Sequence, residues 1–356
     1  MNSPFSKIYF LLALPALTAA ISACDGANNA AASLAQIAVY DGTDRDRRLI
    51  AAAKSEGAVT LYTSVNKLQH GNPIIDGFQQ KYGIKVTVWR AGANKVLQRV
   101  LAEADAARFD FDVVNAGAVE LETLHREKLL QEIKSPHFSD LIPAALPLHK
   151  EWVGTYLLAF VQAYNTNIVK KNDLPRTYQD LLDAKWKGRL GIESKDYDWF
   201  YSIVKDLGEA QGLALFKTLA AKNGLSVRNG HTLLANLVAA GEVPLALTVY
   251  HYTPEQLKRK GAPIDWFAIP PVIASVNAIG VSKHAPHPNA AILFYDYLIG
   301  EEAQELFAEM NYAPVNKKVA SPLKDLPIKL IDPVVSLDES DKWTRLYEEI
   351  VLQGAK

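Results

Sequence analysis

One cysteine, almost no net charge, no catalytic signature and no apolar run long enough to span a membrane beyond the N-terminus: this chain of 356 residues is defined first by what it does without. A single Cys excludes an internal disulfide framework, a CxxC redox pair and any cysteine-built zinc site. With 38 basic and 39 acidic residues, the charge balance favours neither a nucleic acid nor an anionic membrane surface as partner. Apolar runs after the leader fall short of the ~20 residues that cross a bilayer. The longest of them, TYLLAFVQAY and VPLALTVYHY, read as buried strands. GxSxG, GxxxxGK, GxGxxG and HExxH are all missing, and the eight His are scattered. What remains is 49% apolar and 22% charged, enough for two domains of ordinary size.

The lone Cys24 has a position that explains it. Lys7 supplies a positive start, IYFLLALPALTAAISA is apolar but broken by Pro15, and small residues close it, which is the build of a secretory leader. Ile21-Ser22-Ala23-Cys24 resembles a bacterial lipobox, in which the thiol is lipidated and becomes the first mature residue. Residues 1–23 are therefore expected to be a lipoprotein signal peptide. The small, polar stretch at 24–46 is expected to be a flexible tether, too poor in apolar side chains to offset its ordering entropy.

From Val59 strand and helix patterns alternate. AVTLYTSV, IKVTVWRAG and FDFDVVNAG are strand-like, separated by NPIIDGFQQKYG and by NKVLQRVLAEADAARF, where Val96, Leu97, Val100 and Leu101 recur at helical spacing. That order implies parallel sheet with helices on both faces. After LIPAALPLHKEW a second unit follows through TYLLAFVQAYNT, GRLGIESK, DWFYSIVKDLG, GLALFKTLAAKNG, LSVRNG, HTLLANLVAAGE and VPLALTVYHY. IDWFAIPPVIASVNAIGVSK then runs extended, and NAAILFYDYLIGEEAQELFAEM reads as one long helix. No internal repeat appears, which argues against a solenoid or propeller.

Taken together, VTLYTSVN…FQQKYGIKVTVWRAG, AEADAARFDFDVVNAG, AYNTNIVKKNDLPRTYQDLLDAKWKGRLGI, GEVPLAL and PHPNAAILFYDYLIGEEAQELFAE resemble the extracellular solute-binding proteins of bacterial ABC importers, and more narrowly their ferric-iron-binding branch. The resemblance implies an α/β fold of two doubly wound lobes joined by two hinge strands, with a ligand cleft between them. It places lobe one at 47–152 plus 272–312, lobe two at 153–271, and a C-terminal helical segment packing on the lobes at 313–356. EWVGTYLLAF and PPVIASVNAIG are the expected crossings. It further implies a protein that hands a small ligand to a membrane permease, and with the lipobox at Cys24 the expectation is a lipid-anchored monomer in the periplasm. No cofactor is implied, ferric ion being cargo if it is bound.

In open parallel sheets the crevice lies at the carboxyl ends of the strands, where helix N-termini present free N–H groups. The loops that qualify carry Ser64, Asn66, Arg90 and Asn115 in lobe one, and Tyr197, Asp198, Arg228, His231, Tyr250 and Tyr252 in lobe two. Arg90 and Arg228, on opposite lobes, are expected to clamp an anionic group. Many ferric-binding relatives carry two adjacent tyrosines after the strand that follows GE-x-P. Here that strand ends Tyr250-His251-Tyr252, and alternation is what would bring Tyr250 and Tyr252 to one face as metal ligands. Ferric iron, alone or with a companion anion, and an organic or phosphorylated anion without metal both stay open. A catalyst on a bilobal fold and a structural surface lipoprotein fit the sequence less well.

Overall fold

The computed structural model describes residues 34–65 and 72–354, so Cys24, the leader and Asn66 lie outside the described residues. The tether boundary at 46 needs correction. Residues 34–39 form a short helix whose Leu34 and Ala38 are buried in the first core, and α1 (Arg45–Glu56) opens at Arg45. Two apolar side chains four apart lie on one face of a helix, and that face docks.

Next come β1 (Ala58–Thr63), α2 (Pro73–Tyr82), β2 (Lys85–Arg90), α3 (Ala93–Asp105), β3 (Val113–Gly117) and α4 (Ala118–Arg126). The local chemistry of α2 shows how firmly these elements are specified. Asn72 accepts from the Ile74 N–H, Pro73 occupies the first helical position, and Ile74, Ile75 and Phe78 face inward. Gly83, at φ 72°, ends the helix in a conformation that costs other residues more. β1 pairs parallel with both β2 and β3, as strand–helix–strand crossovers give.

The long β4 (Trp152–Asn165) leaves this unit. It is followed by β5 (Leu190–Glu193), α5 (Tyr197–Asp206), α6 (Glu209–Asn223), β6 (Ser226–Arg228), α7 (His231–Ala240), β7 (Leu245–Tyr250), α8 (Tyr252–Arg259), β8 (Ile264–Phe267) and β9 (Val272–Val281). The strands run in the order β2-β1-β3-β9-β4-β7-β5-β6. β4 and β9, the two expected crossings, pair antiparallel at its centre. Trp152 to Ala159 of β4 lie along β9, whereas Phe160 to Asn165 pair with β7 and β8. The core changes at the same point: Ala159 belongs to the first hydrophobic cluster and Phe160 to the second. One continuous strand therefore serves two lobes, with the hinge inside it.

The single helix expected at 289–310 is two, α9 (Pro288–Ile299) and α10 (Glu301–Glu309). Gly300 between them is extended, at φ −71° and ψ 158°, which interrupts the hydrogen-bond ladder. Both pack into lobe one. The C-terminal stretch adds β10 (Ala313–Pro314), β11 (Ile328–Leu330), α11 (Pro333–Asp338) and α12 (Ser340–Tyr347). β10 joins β4 and β11 joins β9. Beyond them Trp343, Tyr347, Ile350 and Val351 fill the core of lobe two. α11 meanwhile lies against α4 of lobe one, tied by Arg126 Nη1 to Asp338 Oδ1 at 2.6 Å.

Candidate functional site

The parallel strands of each lobe bring their carboxyl ends to one side, and the cleft lies at those strand ends.

Its lobe-two wall is aromatic and imidazole. β7 ends at Tyr250, whose ring lies 3.9 Å from that of His231 and 5.0 Å from that of Phe160. Tyr252 faces Tyr250 at 6.1 Å with rings 16° from parallel, though not for the reason that alternation supplies. The strand stops at Tyr250. His251 is helical, at φ −48° and ψ −36°, and Tyr252 opens α8, with Pro254 tolerated in the first turn. Tyr252 in turn meets Tyr312, from the turn after α10, at 4.7 Å. His251 points inward. Burial pushes its imidazole down to about 4, and neither ring nitrogen has a hydrogen-bond partner.

Electrostatics on this wall are set by carboxylates. His231 Nε2 lies 3.2 Å from Asp196 Oδ1. Burial presses the imidazole towards neutrality, but Asp196, and behind it Glu193, outweigh that and raise its pKa. Asp196 Oδ2 and His231 Nδ1 are both buried without a partner. Buried polar atoms are rarely left so unless a ligand or water meets them. Burial, then Asp196, raises the Tyr250 phenol well above its ordinary value, and burial raises that of Tyr252. A phenol so placed ionises only when a strong cation replaces its proton.

Helix N-termini are ordinarily anion seats, but here several carry a built-in carboxylate. Glu193 Oε1 accepts the N–H of Gly230, the cap of α7, at 2.9 Å, and Glu193 also accepts the N–H of Lys195. Asp196 stands at the N-cap position of α5, where its side chain bonds no helix N–H, and Asp198 sits in the first turn. In lobe one Glu120 lies in the first turn of α4, folded against Gly117, where a Cβ would come 2.5 Å from its Oε2.

The residues expected in the cleft therefore divide. Tyr250, Tyr252 and His231 come together. Asn115 does not offer its side chain to a ligand: its Nδ2 donates to Asn277 Oδ1 at 2.9 Å and to the Ala278 carbonyl at 2.8 Å, locking β3 to β9. Ser64 follows β1, its N–H bound to the Asn115 carbonyl at 3.0 Å. Tyr197 turns to Tyr347, 5.3 Å away, and Asp198 accepts from the Ser336 hydroxyl. Both therefore also contact the C-terminal segment. Arg90 and Arg228 stand on β2 and β6, the two ends of the strand order with six strands between them, and Arg228 Nη1 donates to the Val227 carbonyl at 2.9 Å.

Sequence reasoning passed over Glu193, Asp196, Glu120 and Tyr312. The first two had a signal, as acidic residues at the end of GRLGIESKD, directly after a strand. A second cluster, His125, His149 and Glu151, has the spacing of a metal site. However, His149 Nδ1 accepts the Glu151 N–H at 3.1 Å, which puts the neutral ring's proton on Nε2, so that nitrogen is no ligand.

Two lobes on shared hinge strands, with a polar, partly unpaired wall between them, define a protein that captures a small solute by closing over it. This chain belongs to the bacterial extracellular solute-binding protein family, whose model matches residues 74–329. It is the solute-binding component of an ABC importer, a family of binders rather than enzymes. It is 27% identical to the Fe(3+)-binding periplasmic protein of Serratia marcescens, across 79% of this chain and 87% of that protein. It is also 27% identical to a putative 2-aminoethylphosphonate-binding periplasmic protein of Salmonella typhimurium, across 74% and 81%. The iron-bound structure of HitA from Pseudomonas aeruginosa, 24% identical, superposes with a TM-score of 0.70 over 82% of this chain and 99% of that one. Among the described residues no helix is long and apolar enough to cross a membrane.

Proposed function

We propose that the solute is ferric iron, captured on the tyrosine–imidazole wall of lobe two and passed to a membrane permease, with the protein held beside that permease by a lipid on Cys24. The observation that carries this reading is the arrangement of Tyr250 and Tyr252, near-parallel at 6.1 Å and flanked by His231. Phenolate and imidazole suit a hard, highly charged metal ion. The carboxylates already seated at the α5 and α7 N-termini and in the first turn of α4 make the same cleft a poor seat for a bare anion and a good one for a cation. The name of the Serratia marcescens relative agrees with this. Iron is cargo, and no cofactor or catalytic residue takes part. A lipid at Cys24 confines the protein to the membrane plane and raises its effective concentration near the permease.

Arg90 and Arg228, with the Salmonella typhimurium relative's name, favour a second reading: a phosphonate or similar anion without metal. One titration separates the two. Solute-free protein given ferric nitrilotriacetate develops a visible tyrosinate-to-iron band and melts at a higher temperature. A colourless titration, with protection by 2-aminoethylphosphonate instead, favours the anion.

A further inference from the structure

A solute held on lobe two favours closure only if lobe one also touches it, and Tyr312 is the lobe-one side chain that meets the tyrosine wall. It stands in the turn after α10, where Asn311 takes the left-handed conformation at φ 68°. The residues that follow fix it in place. β10 pairs with β4, Pro314 opposite Tyr156 and Ala313 opposite Leu157, and Gln304 Oε1 accepts the Val315 N–H at 2.8 Å. From the other lobe, Gln256 Nε2 of α8 donates to the Met310 carbonyl at 3.1 Å. The turn is built into lobe one and bonded to the helix that Tyr252 opens.

Four tyrosine rings form a continuous row there. Tyr250 lies 6.1 Å from Tyr252, Tyr252 lies 4.7 Å from Tyr312, and Tyr312 lies 4.5 Å from Tyr156. Tyr250 ends β7 and Tyr252 opens α8, whereas Tyr312 and Tyr156 are buried in the core of lobe one. Tyr312 is only 5% exposed, yet among the described residues its phenol oxygen has no hydrogen-bond partner. A tyrosine oxygen so nearly buried ordinarily finds one. Burial, then Tyr252, raises the Tyr312 phenol, and burial, then Tyr312, Tyr252 and Tyr250, raises that of Tyr156.

On the ferric reading above, we propose that Tyr312 is the lobe-one ligand of the captured ion, a third phenol that joins Tyr250 and Tyr252 on the metal when the lobes close. As the iron–oxygen bond forms the phenol gives its proton to water, and the iron stays ferric throughout. Tyr250 and Tyr252 come from lobe two and Tyr312 from lobe one, so only the closed form offers all three oxygens. The ion then stabilises closure by what Tyr312 adds to its binding. Three phenolates also match the charge of one ferric ion, so it can be buried there without a companion anion.

Tyr312→Phe tests this, because it keeps the ring contacts with Tyr252 and Tyr156 and removes only an oxygen that holds nothing else. The solute-free variant is therefore expected to melt as the wild type does. Titrated with ferric nitrilotriacetate, it is expected to keep a visible band that is weaker by about a third per bound iron, one tyrosinate of three being lost, and to bind at least about tenfold more weakly. Small-angle scattering is expected to find the iron-loaded variant less compact than the iron-loaded wild type. A coloured wild type beside a variant of equal absorbance per iron overturns the proposal and leaves the iron reading standing, even where the variant binds more weakly, since that loss would then be structural. A colourless wild type overturns both.

Discussion

Lobe one and lobe two share a fold pattern and a pair of strands, yet their cleft faces are built differently. In lobe two the cleft wall is a set of polar side chains left partly unsatisfied: Asp196 Oδ2 and His231 Nδ1 have no partner, and the phenols of Tyr250 and Tyr252 are raised. In lobe one the corresponding face is spent on the fold. Asn115 is bonded to Asn277 and Ala278, and Thr63 Oγ1 is bonded to Asn115 and to the Val65 N–H. Under the proposed function the difference is a division of labour, in which lobe two supplies most of the solute's ligands and lobe one closes on it. Partly unsatisfied polar groups weaken a fold, and a site that must bind and release keeps some in reserve.

The comparison can be broken from the lobe-one side first. Asn115→Ala removes two buried hydrogen bonds between β3 and β9 and leaves Asn277 Oδ1 with only Thr155. The cost is expected to be about 1–3 kcal/mol of stability by denaturant unfolding, with solute affinity changed by less than about threefold. A large loss of affinity without loss of stability would make Asn115 a ligand contact and end the asymmetry. A smaller effect is expected at the edge strands. Arg90→Ala at an exposed position and Arg228→Ala at a half-buried one should each weaken solute binding by less than about fivefold. Calorimetric titration showing about tenfold or more in both would favour the anion clamp.

How far the sequence could be read follows the same divide between local and distant chemistry. The strand–helix alternation, the two crossing strands and the buried TYLLAFVQAY and VPLALTVYHY runs are local patterns of apolar side chains, and the structure has them as β1–β3, β4, β7 and β9. Tyr250 and Tyr252 were readable as a pair, but the helical turn at His251 that unites them depends on how Pro254 seats α8. The role of Asn115 could not be assigned from its neighbours in sequence, because what decides it is Asn277, 162 residues away. Asp196 carried a local signal after its strand, but its pairing with His231 comes only from the fold. The short helix at 34–39 was hidden for a related reason: Leu34, Ala38 and, in part, Ile37 are the few apolar side chains of a small, polar stretch that reach the core.

The central claim, that the tyrosine–imidazole wall of lobe two holds a ferric ion, is tested most directly by titrating Tyr250→Phe beside the wild type with ferric nitrilotriacetate and recording the visible spectrum. Phe keeps the ring contacts with His231 and Phe160 and removes only the phenol oxygen. The account predicts a charge-transfer band in the wild type, and in the variant a lost or much weaker band with affinity down by about a hundredfold, at or beyond what outer-shell changes cost at metal sites. A variant as coloured and as tight as the wild type would contradict it.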